Sequence, residues 1–367
     1  MSILLPDYEN CSINVIHSIA SACGMLPFHK THPFVDALLQ KKKYWNIILM
    51  LFDGMGVDLI EKTLPEDAFL RKHMAHRLSA VFPSTTTCAT TAIECGQMPC
   101  EHAWLGWTLR FEQIGKSVDV YTNQDADNGT QAADYHVGDR FIPRDFIYPH
   151  INDAGQYRAT SVSAFGHIRI KKLPELFENT LALAMDDQNR FIYTYWHEPD
   201  STMHRHGCHH SKSIAQLVDI NDRVEKLAHQ LPEDSLLLLT ADHGLIDADI
   251  RYLEDYPDLM KMLRWDATME LRALSFHVKE EYISLFPSVF QQHFGSHFML
   301  LPHEDFIEQF LGPGKCRSDV HQFVGDYVAI SLDDMTLMNH RPNFLQIGHH
   351  AGLTAQEMLV PLIVVEK

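Results

Sequence analysis

The chain has 367 residues, 46% of them hydrophobic and 21% charged, and a formal net charge of −18 at pH 7. This length is sufficient for one large domain, or for one domain with a smaller one. The negative charge argues against a partner such as a nucleic-acid duplex, whose phosphates call for a basic face, but it allows a small anionic substrate where bound divalent cations reverse the local field.

The cysteines and the N-terminal residues indicate in which cellular compartment the protein is expected. Seven cysteines, an odd number without a CxxC pair, fit reduced cytosolic thiols better than a disulfide framework. The opening sequence MSILLPDYENCS has no basic region before an apolar core, and no apolar stretch approaches the roughly 20 residues of a membrane-spanning helix. We therefore expect a cytoplasmic protein without a membrane partner.

The first strong signal follows two predicted helices at 13–22 and 33–43. Residues 46–52, NIILMLF, form a continuous apolar run that is typical of a strand buried on both faces of a parallel sheet. Asp53 comes directly after it. Because ligands bind at the carboxyl ends of strands in open α/β sheets, Asp53 is a candidate site residue, although Asp-Gly is also common in turns.

Helices are predicted next at 57–64 and 67–78, and the sequence AVFPSTTTCATTAIECG follows at 80–96. A Ser or Thr before a helix usually caps it, but three consecutive threonines are more than a cap needs. A hydroxyl at a helix N-terminus can act as a nucleophile where the helix dipole and backbone N–H groups favour a phosphate. No Lys or Arg occurs between Arg77 and Arg110, which favours a diester over a dianionic monoester.

Aromatic residues are frequent between Trp104 and Tyr121. They either wall a pocket that stacks a base or another flat group, or belong to ordinary packing. A strand is predicted at 160–165 and a helix at 173–185.

Two later stretches repeat the pattern of apolar residues followed by Asp or His, and a third places two histidines before an apolar run. FIYTYW at 191–196 leads into HEPDSTMHRHG, LLLLTADHG ends at 244, and GHHAGL at 348–353 precedes the apolar run MLVPLIVV. Asp and neutral His are preferred ligands of Zn²⁺ and similar ions. Asp200 and His204 are four residues apart, so one helical turn puts both on the same side, whereas the spacing of His206 fits less well.

The region from about 247 to 338 has a different character. After an amphipathic helix at 211–231, it contains predicted strands at 273–278, 298–301 and 327–332 and a helix at 304–311. We interpret it as an α+β insertion, or cap, in an α/β core. The predicted division is therefore a core of residues 1–247 and 339–367 and an insertion of residues 248–338.

The order of FDGMG, PSTTT, EPDSTMHRHG, TADHG and GHHAGL resembles the alkaline phosphatase superfamily, and within it proteins of the nucleotide pyrophosphatase/phosphodiesterase type. The resemblance implies an α/β sandwich with a mostly parallel central sheet flanked by helices, plus the small cap. It also implies a site with two divalent metal ions, usually zinc, with manganese and iron compatible with the same donors.

Carried over by position, the resemblance assigns two ligand sets. One metal ion is bound by Asp53, Asp242 and His243, and the other by Asp200, His204 and a histidine of GHHAGL, where the pattern favours His350 over His349. Counting back ten residues from Gly96 gives Thr86 as the nucleophile, with Thr85 and Thr87 as alternatives. The chain lacks the Asn that eukaryotic members carry just after the nucleophile, which leaves the phosphate-orienting group open.

The expected activity is metal-dependent hydrolysis of phosphodiester or pyrophosphate bonds through a phospho-threonine intermediate, with a small-molecule phosphate ester such as a nucleotide as substrate. Phosphomonoesterase, phosphonate hydrolase and metal-dependent phosphomutase are the enzymatic alternatives. A hypothesis of another class is a non-catalytic metal-binding module. Such a module needs no hydroxyl nucleophile beside six ligands, so the sequence favours the enzyme.

Overall fold

Residues 2–367 are described by a computed structural model of the chain. Met1, which the predicted core includes, lies outside the described residues. The helices are α1 (Ser12–Ala22), α2 (Pro33–Lys41), α3 (Val57–Thr63), α4 (Phe69–Lys72), α5 (Thr86–Cys95), α6 (Pro99–His102), α7 (Val137–Phe141), α8 (Ile147–Ala154), α9 (Leu173–Ala184), α10 (Asp200–His206), α11 (Ser211–Gln230), α12 (Pro257–Met260), α13 (Phe286–Phe294), α14 (His303–Phe310) and α15 (Ala355–Met358).

The strands form two larger sheets and two short pairs. Short 3₁₀ turns also lie at Leu253–Asp255, Glu280–Tyr282 and Val320–Phe323. The strands are β1 (Asn46–Phe52), β2 (Met74–Ser79), β3 (Thr108–Phe111), β4 (Lys116–Asp119), β5 (Gln124–Asp125), β6 (Arg158–Ser163), β7 (Ile168–Arg169), β8 (Arg190–Trp196), β9 (Ser235–Thr240), β10 (Ile246–Asp247), β11 (Asp249–Tyr252), β12 (Thr268–Met269), β13 (Ala273–Phe276), β14 (Phe298–Pro302), β15 (Tyr327–Ser331), β16 (Met335–Met338), β17 (Gly348–His349) and β18 (Leu359–Glu366).

The apolar runs recognised in the sequence form the middle of the first sheet, whose order is β2-β18-β9-β1-β8-β6-β7. Every residue of β1 and β9 is buried. The neighbours from β9 to β7 run parallel, and β18 runs antiparallel to both β9 and β2. The carboxyl ends of β1, β8 and β9 therefore meet at one edge, as expected for a mostly parallel sheet flanked by helices.

The predicted helix at 67–78 is wrong in its second half. Helix α4 ends at Lys72, and Met74–Ser79 forms the edge strand β2, which pairs antiparallel with β18. Three residues of β2 are exposed, so its apolar pattern is weak. The strand forms because a partner strand, distant in sequence, is available there.

The second sheet has the order β14-β15-β13-β12-β3-β4-β5. Alternate residues of its strands face different cores. Ala273 and Ile330 pack in the main core, whereas Leu274, Phe276 and Ala329 pack in a smaller core. Because β3, β4 and β5 come from residues 108–125, this sheet joins part of the predicted core to the predicted insertion; the division at 247/248 and 338/339 stays a prediction.

A buried ion pair joins the two parts of the chain. Arg272 donates from Nε and Nη2 to the two carboxylate oxygens of Glu357, at 2.7 and 2.9 Å, and both side chains are fully buried. Nη1 of Arg272 donates to the Met335 carbonyl, while Glu357 also accepts from Gly352 N and Thr354 Oγ1. These contacts fasten the strands of residues 268–338 to helix α15 beside the GHHAGL stretch.

Breaking this pair is expected to be costly. Glu357→Gln leaves the guanidinium of Arg272 buried without its counter-charge, so we expect the free energy of unfolding to fall by about 3–5 kcal/mol. Urea denaturation measures the change. In the control Glu9→Gln, which removes an exposed pair with Lys30, the loss should stay below about 1 kcal/mol. Equal losses in the two variants would contradict a special role for the buried pair.

Among residues 2–367, no helix combines the length and the apolar character that a bilayer crossing requires.

Candidate active site

Asp53 lies where β1 ends. Its backbone N–H donates to the Trp196 carbonyl at the end of β8, and its side chain is buried. Asp242 follows β9, and Asp200 begins α10 after β8. The parallel order of these strands brings the three carboxylates to one edge of the sheet.

The first group of donor atoms consists of Asp53, Asp242 and His243, within 4.8 Å of one another. Nε2 of His243 lies 3.5 Å from Oδ1 of Asp53 and 3.6 Å from Oδ2 of Asp242. Oδ1 of Asp242 accepts from the backbone N–H groups of Gly54 and His243, both at 3.0 Å. Oδ2 of Asp242 is buried without a hydrogen-bond partner. A buried, unpaired carboxylate oxygen fits a metal ligand.

The second group consists of Asp200, His243 and His350. His243 therefore belongs to both groups of donor atoms. His204 lies beside this group, with Nε2 3.2 Å from Oδ1 of Asp200, as the spacing of four residues predicts. The rings of His243 and His350 stack with centroids 3.9 Å apart. Oδ1 of Asp200 is buried without a hydrogen bond of good geometry.

The three histidines share one arrangement of their rings. Nδ1 lies near a backbone carbonyl in each case: that of Gly244 for His243 at 3.1 Å, of Gly348 for His204 at 2.7 Å, and of Ser84 for His350 at 3.2 Å. With the proton on Nδ1, the lone pair of Nε2 is free. Metal-ligating histidines orient their rings in this way.

Two alternative histidines make other contacts. Nε2 of His349 is 3.3 Å from the Gln346 carbonyl, and burial lowers the pKa of His349 to about 3. His206 stacks on His210, and its Nε2 lies 3.3 Å from Nζ of Lys212. Neither belongs to the two donor groups found among residues 2–367 at this sheet edge.

Thr86 is the first residue of α5, and Thr85 precedes it in an extended conformation. Oγ1 of Thr86 lies 3.2 and 3.3 Å from the carboxylate oxygens of Asp53 and 3.3 Å from Nε2 of His243. The Thr85 hydroxyl points elsewhere and donates to Oε1 of Glu270 at 2.6 Å. Of the three consecutive threonines, Thr86 is therefore the one whose hydroxyl faces the donor groups.

The charge balance at this edge favours bound cations. Burial raises the pKa of Asp53 well above its usual range, and the neighbouring carboxylates of Asp242 and Asp200 raise it further. Burial also raises the pKa of Asp200, but His204 beside it lowers the net value below the usual range. Three buried carboxylates repel one another, and divalent cations relieve that repulsion. The residues present thus fit the metal ions implied by the resemblance.

Two residues of the site were not recognised in the sequence. The Tyr195 hydroxyl on β8 donates to Oδ2 of Asp53. Glu270 accepts from Thr85 and from the Trp107 N–H, the latter at 2.7 Å. A tyrosine inside a strand and a lone Glu in a region without a motif carry no signal that distinguishes them from ordinary residues.

The aromatic residues between Trp104 and Tyr121 differ in their exposure. Trp107 is 41% exposed next to Tyr121, whereas Trp104 is fully buried.

Burial raises the pKa of Glu270 from 4.5 to about 7. In the metal-free protein, the folded state thus keeps a proton between pH 4.5 and 7 that the unfolded chain has released, so this group lowers stability as the pH rises through that window. At about 1.4 kcal/mol per unit, the shift corresponds to about 3 kcal/mol. Urea denaturation with chelator at pH 5 and 8 should show Glu270→Gln gaining up to this amount over the wild type at the higher pH.

The control for this prediction is Glu112→Gln, at an exposed glutamate outside the site. It should follow the wild type at both pH values. The same pH dependence in the wild type and Glu270→Gln would contradict the elevated pKa.

Comparisons with known proteins identify the family and the fold of the chain. The family model for type I phosphodiesterase/nucleotide pyrophosphatase matches residues 47–343. The search of curated proteins finds no match. The family match confirms the predicted resemblance to the nucleotide pyrophosphatase/phosphodiesterase type.

Solved structures share the fold. Murine ectonucleotide pyrophosphatase/phosphodiesterase 5 is 16% identical, with 88% of each chain covered and a TM-score of 0.65. An inactive variant of it, with a threonine replaced by alanine, is in complex with AMP (16% identity, 86% of this chain and 87% of that chain, TM-score 0.64). Phosphonoacetate hydrolase from Sinorhizobium meliloti, with phosphonoformate, is 16% identical over 86% of this chain and 89% of its own, at a TM-score of 0.62.

The solved structures, at 16% identity, establish the fold alone, which is an alkaline-phosphatase-like α/β fold. The family match covers most of the sequence. The chain belongs to the type I phosphodiesterase/nucleotide pyrophosphatase family of hydrolases.

Proposed function

We propose that the chain hydrolyses phosphodiester or pyrophosphate bonds with Thr86 as the nucleophile and two divalent metal ions. The observation that carries this proposal is the position of the Thr86 hydroxyl at the start of α5. Its Oγ1 lies within 3.3 Å of the Asp53 carboxylate and of His243 Nε2. The donor atoms of Asp242 and Asp200 that lack hydrogen-bond partners support the metal sites.

The two metal sites are assigned as the sequence predicts, with zinc as the proposed ion and manganese or iron compatible with the same oxygen and nitrogen donors. When bound, such ions supply positive charge that lowers the pKa of a nearby hydroxyl and stabilises the oxygens of an in-line displacement. His243 lies between the two groups and belongs by position to the first. The ligands are Asp53, Asp242 and His243 for one ion, and Asp200, His204 and His350 for the other.

The chain's own residues orient the reaction. Asp53 and His243 hold the Thr86 oxygen, and the first turn of α5 presents backbone N–H groups and the positive end of its dipole to the phosphate. The hydroxyl of Thr86 gives its proton to solvent and its oxygen attacks phosphorus, while the bond to the leaving oxygen breaks and the leaving group departs and takes up a proton from water. Water then attacks the phospho-threonine from the opposite side, which frees the hydroxyl and releases the phosphate product.

The charges around Thr86 support a diester over a monoester. Glu270, which is negatively charged above its pKa of about 7, lies one hydrogen bond from Thr85, and the chain between Arg77 and Arg110 supplies no Lys or Arg. A dianionic monoester meets more repulsion there than a diester, which carries one charge fewer. The AMP complex of the murine relative supports a nucleotide as one part of the substrate, and the exposed Trp107 offers a flat surface to it.

A parallel assay tests this proposal. Metal-loaded protein is given bis(p-nitrophenyl) phosphate, a nucleotide p-nitrophenyl diester, the p-nitrophenyl monoester and phosphonoacetate, each with and without chelator. Turnover that the chelator abolishes and that prefers the diesters is expected. A preference for the monoester would overturn the diester assignment, and turnover of phosphonoacetate alone would favour the activity of the Sinorhizobium relative.

A cytoplasmic location is also proposed, from the cysteines. Six of the seven are buried and Cys316 is exposed, which suits a reducing compartment. The murine protein of similar structure is an ectonucleotide pyrophosphatase/phosphodiesterase, so the location is tested directly by cell fractionation with an antibody to the full chain. Recovery from the medium or from the cell surface would contradict the proposal.

A further inference from the structure

A third group of donor atoms lies away from the sheet edge. His303 and Glu304 begin helix α14, and His321 lies in the 3₁₀ turn Val320–Phe323. One donor atom from each residue lies within 4.8 Å of the other two. None of these residues belongs to the two donor groups of the proposed active site, so the inference does not depend on the proposed function.

The ring of His303 is held in the orientation that metal ligands adopt. Nδ1 of His303 lies 2.9 Å from the Gly325 carbonyl, so it carries the proton, and Nε2 with its lone pair accepts from Nδ1 of His321. Nε2 of His303 is 3.0 Å from Nδ1 of His321, and the two rings stack with centroids 5.2 Å apart. A backbone carbonyl on the second ring nitrogen is the usual support of a metal-ligating histidine.

The distances suit a small transition-metal ion. Oε1 of Glu304 lies 4.0 Å from Nε2 of His303 and 3.9 Å from Nδ1 of His321. A tetrahedral ion with metal–nitrogen bonds of about 2.0–2.1 Å places its ligand atoms about 3.3 Å apart. Shifts of less than 1 Å therefore bring all three donors to bonding distance. The Glu304 side chain is 70% exposed and that of His321 is 49% exposed, so water can complete the coordination.

We propose that His303, Glu304 and His321 bind one transition-metal ion, with two imidazoles and one carboxylate selecting Zn²⁺, Ni²⁺ or Cu²⁺ over Mg²⁺ and Ca²⁺. The ion would join the start of α14 to His321 and so close a loop formed by the residues between them. The intervening loop packs on the segment that follows α5, since Lys315 N donates to Oε1 of Glu101 and Arg317 N donates to the Cys100 carbonyl. The site thus fastens this loop to the body of the protein.

Metal counting on the full chain tests the proposal. Native mass spectrometry during titration with Zn²⁺ should show one ion fewer on His321→Gln and on Glu304→Gln than on the wild type. The matched control is His150→Gln, because His150 is as exposed as His321 and contacts a single carboxylate, that of Asp145. It should bind as many ions as the wild type.

A second readout reports on the loop itself. Zn²⁺ should slow tryptic cleavage after Lys315 and Arg317 in the wild type and in His150→Gln, and leave the rate unchanged in His321→Gln. Equal thermal midpoints of all variants in chelator show that each one folds. An equal number of ions on wild type and His321→Gln would overturn the proposal and leave the two histidines joined only by an N–H···N hydrogen bond.

Discussion

Replacing Thr86 by alanine is expected to lower kcat/KM for a diester at least about 10³-fold, because the attacking oxygen is removed. The metal content should equal that of the wild type, since the proposed metal ligands, among them Asp53 and His243, remain in place. Steady-state kinetics and metal analysis of the same preparation measure both quantities. Activity in Thr86→Ala equal to the wild type would contradict the assignment of the nucleophile.

The neighbouring hydroxyls supply the controls. Thr86→Ser keeps an oxygen at the same position and should retain most of the activity. Thr85→Val removes a hydroxyl that donates to Glu270, and Thr87→Val removes one that is buried without a partner. Neither should approach the loss of Thr86→Ala. If Thr85→Val were inactive and Thr86→Ala active, the nucleophile would be Thr85.

Asp242→Asn is expected to lose one bound metal ion and to lower kcat/KM by at least about 10²-fold. Oδ1 of Asp242 accepts from Gly54 N and His243 N, and an asparagine keeps those bonds with its carbonyl oxygen. The amide NH₂ then replaces Oδ2, the oxygen that faces the donor group. It brings hydrogens instead of a negative charge, so the ion binds weakly.

Metal analysis after dialysis against dilute chelator measures this loss: beside any ion held by His303, Glu304 and His321, the wild type should carry two ions and Asp242→Asn one. The matched control is Asp247→Asn. Asp247 lies five residues further on, accepts from Cys208 N and belongs to neither donor group. Its variant should keep both ions. Two ions of unchanged affinity on Asp242→Asn would contradict the assignment of that ligand.

The centre of the fold could be predicted from the sequence because its strands are buried on both faces. The run of residues 47–52 is apolar without interruption, and such a run has few alternatives to a central parallel strand. Asp53 is predicted as a site residue for the same reason, since the end of a central strand is where ligands bind. The face shared by Asp200 and His204 follows from helical geometry alone.

Other features depend on contacts between distant residues. The strand at Met74–Ser79 forms against β18 and has no strong pattern of its own. Glu270 reaches Thr85 only because the second sheet brings β12 beside β3. The position of His243 between Asp53 and Asp200 depends on how the loops after β8 and β9 fold. Local sequence contains none of this information, because it arises from tertiary packing.

The stereochemical course at phosphorus tests the role of Thr86 most directly. A chiral phosphorothioate diester is hydrolysed in isotopically labelled water by the metal-loaded full chain, and the configuration of the product is determined. Transfer to Thr86 followed by hydrolysis comprises two in-line displacements, each of which inverts phosphorus. Overall retention is therefore expected, whereas inversion would show that water attacks the substrate directly and that Thr86 forms no covalent intermediate.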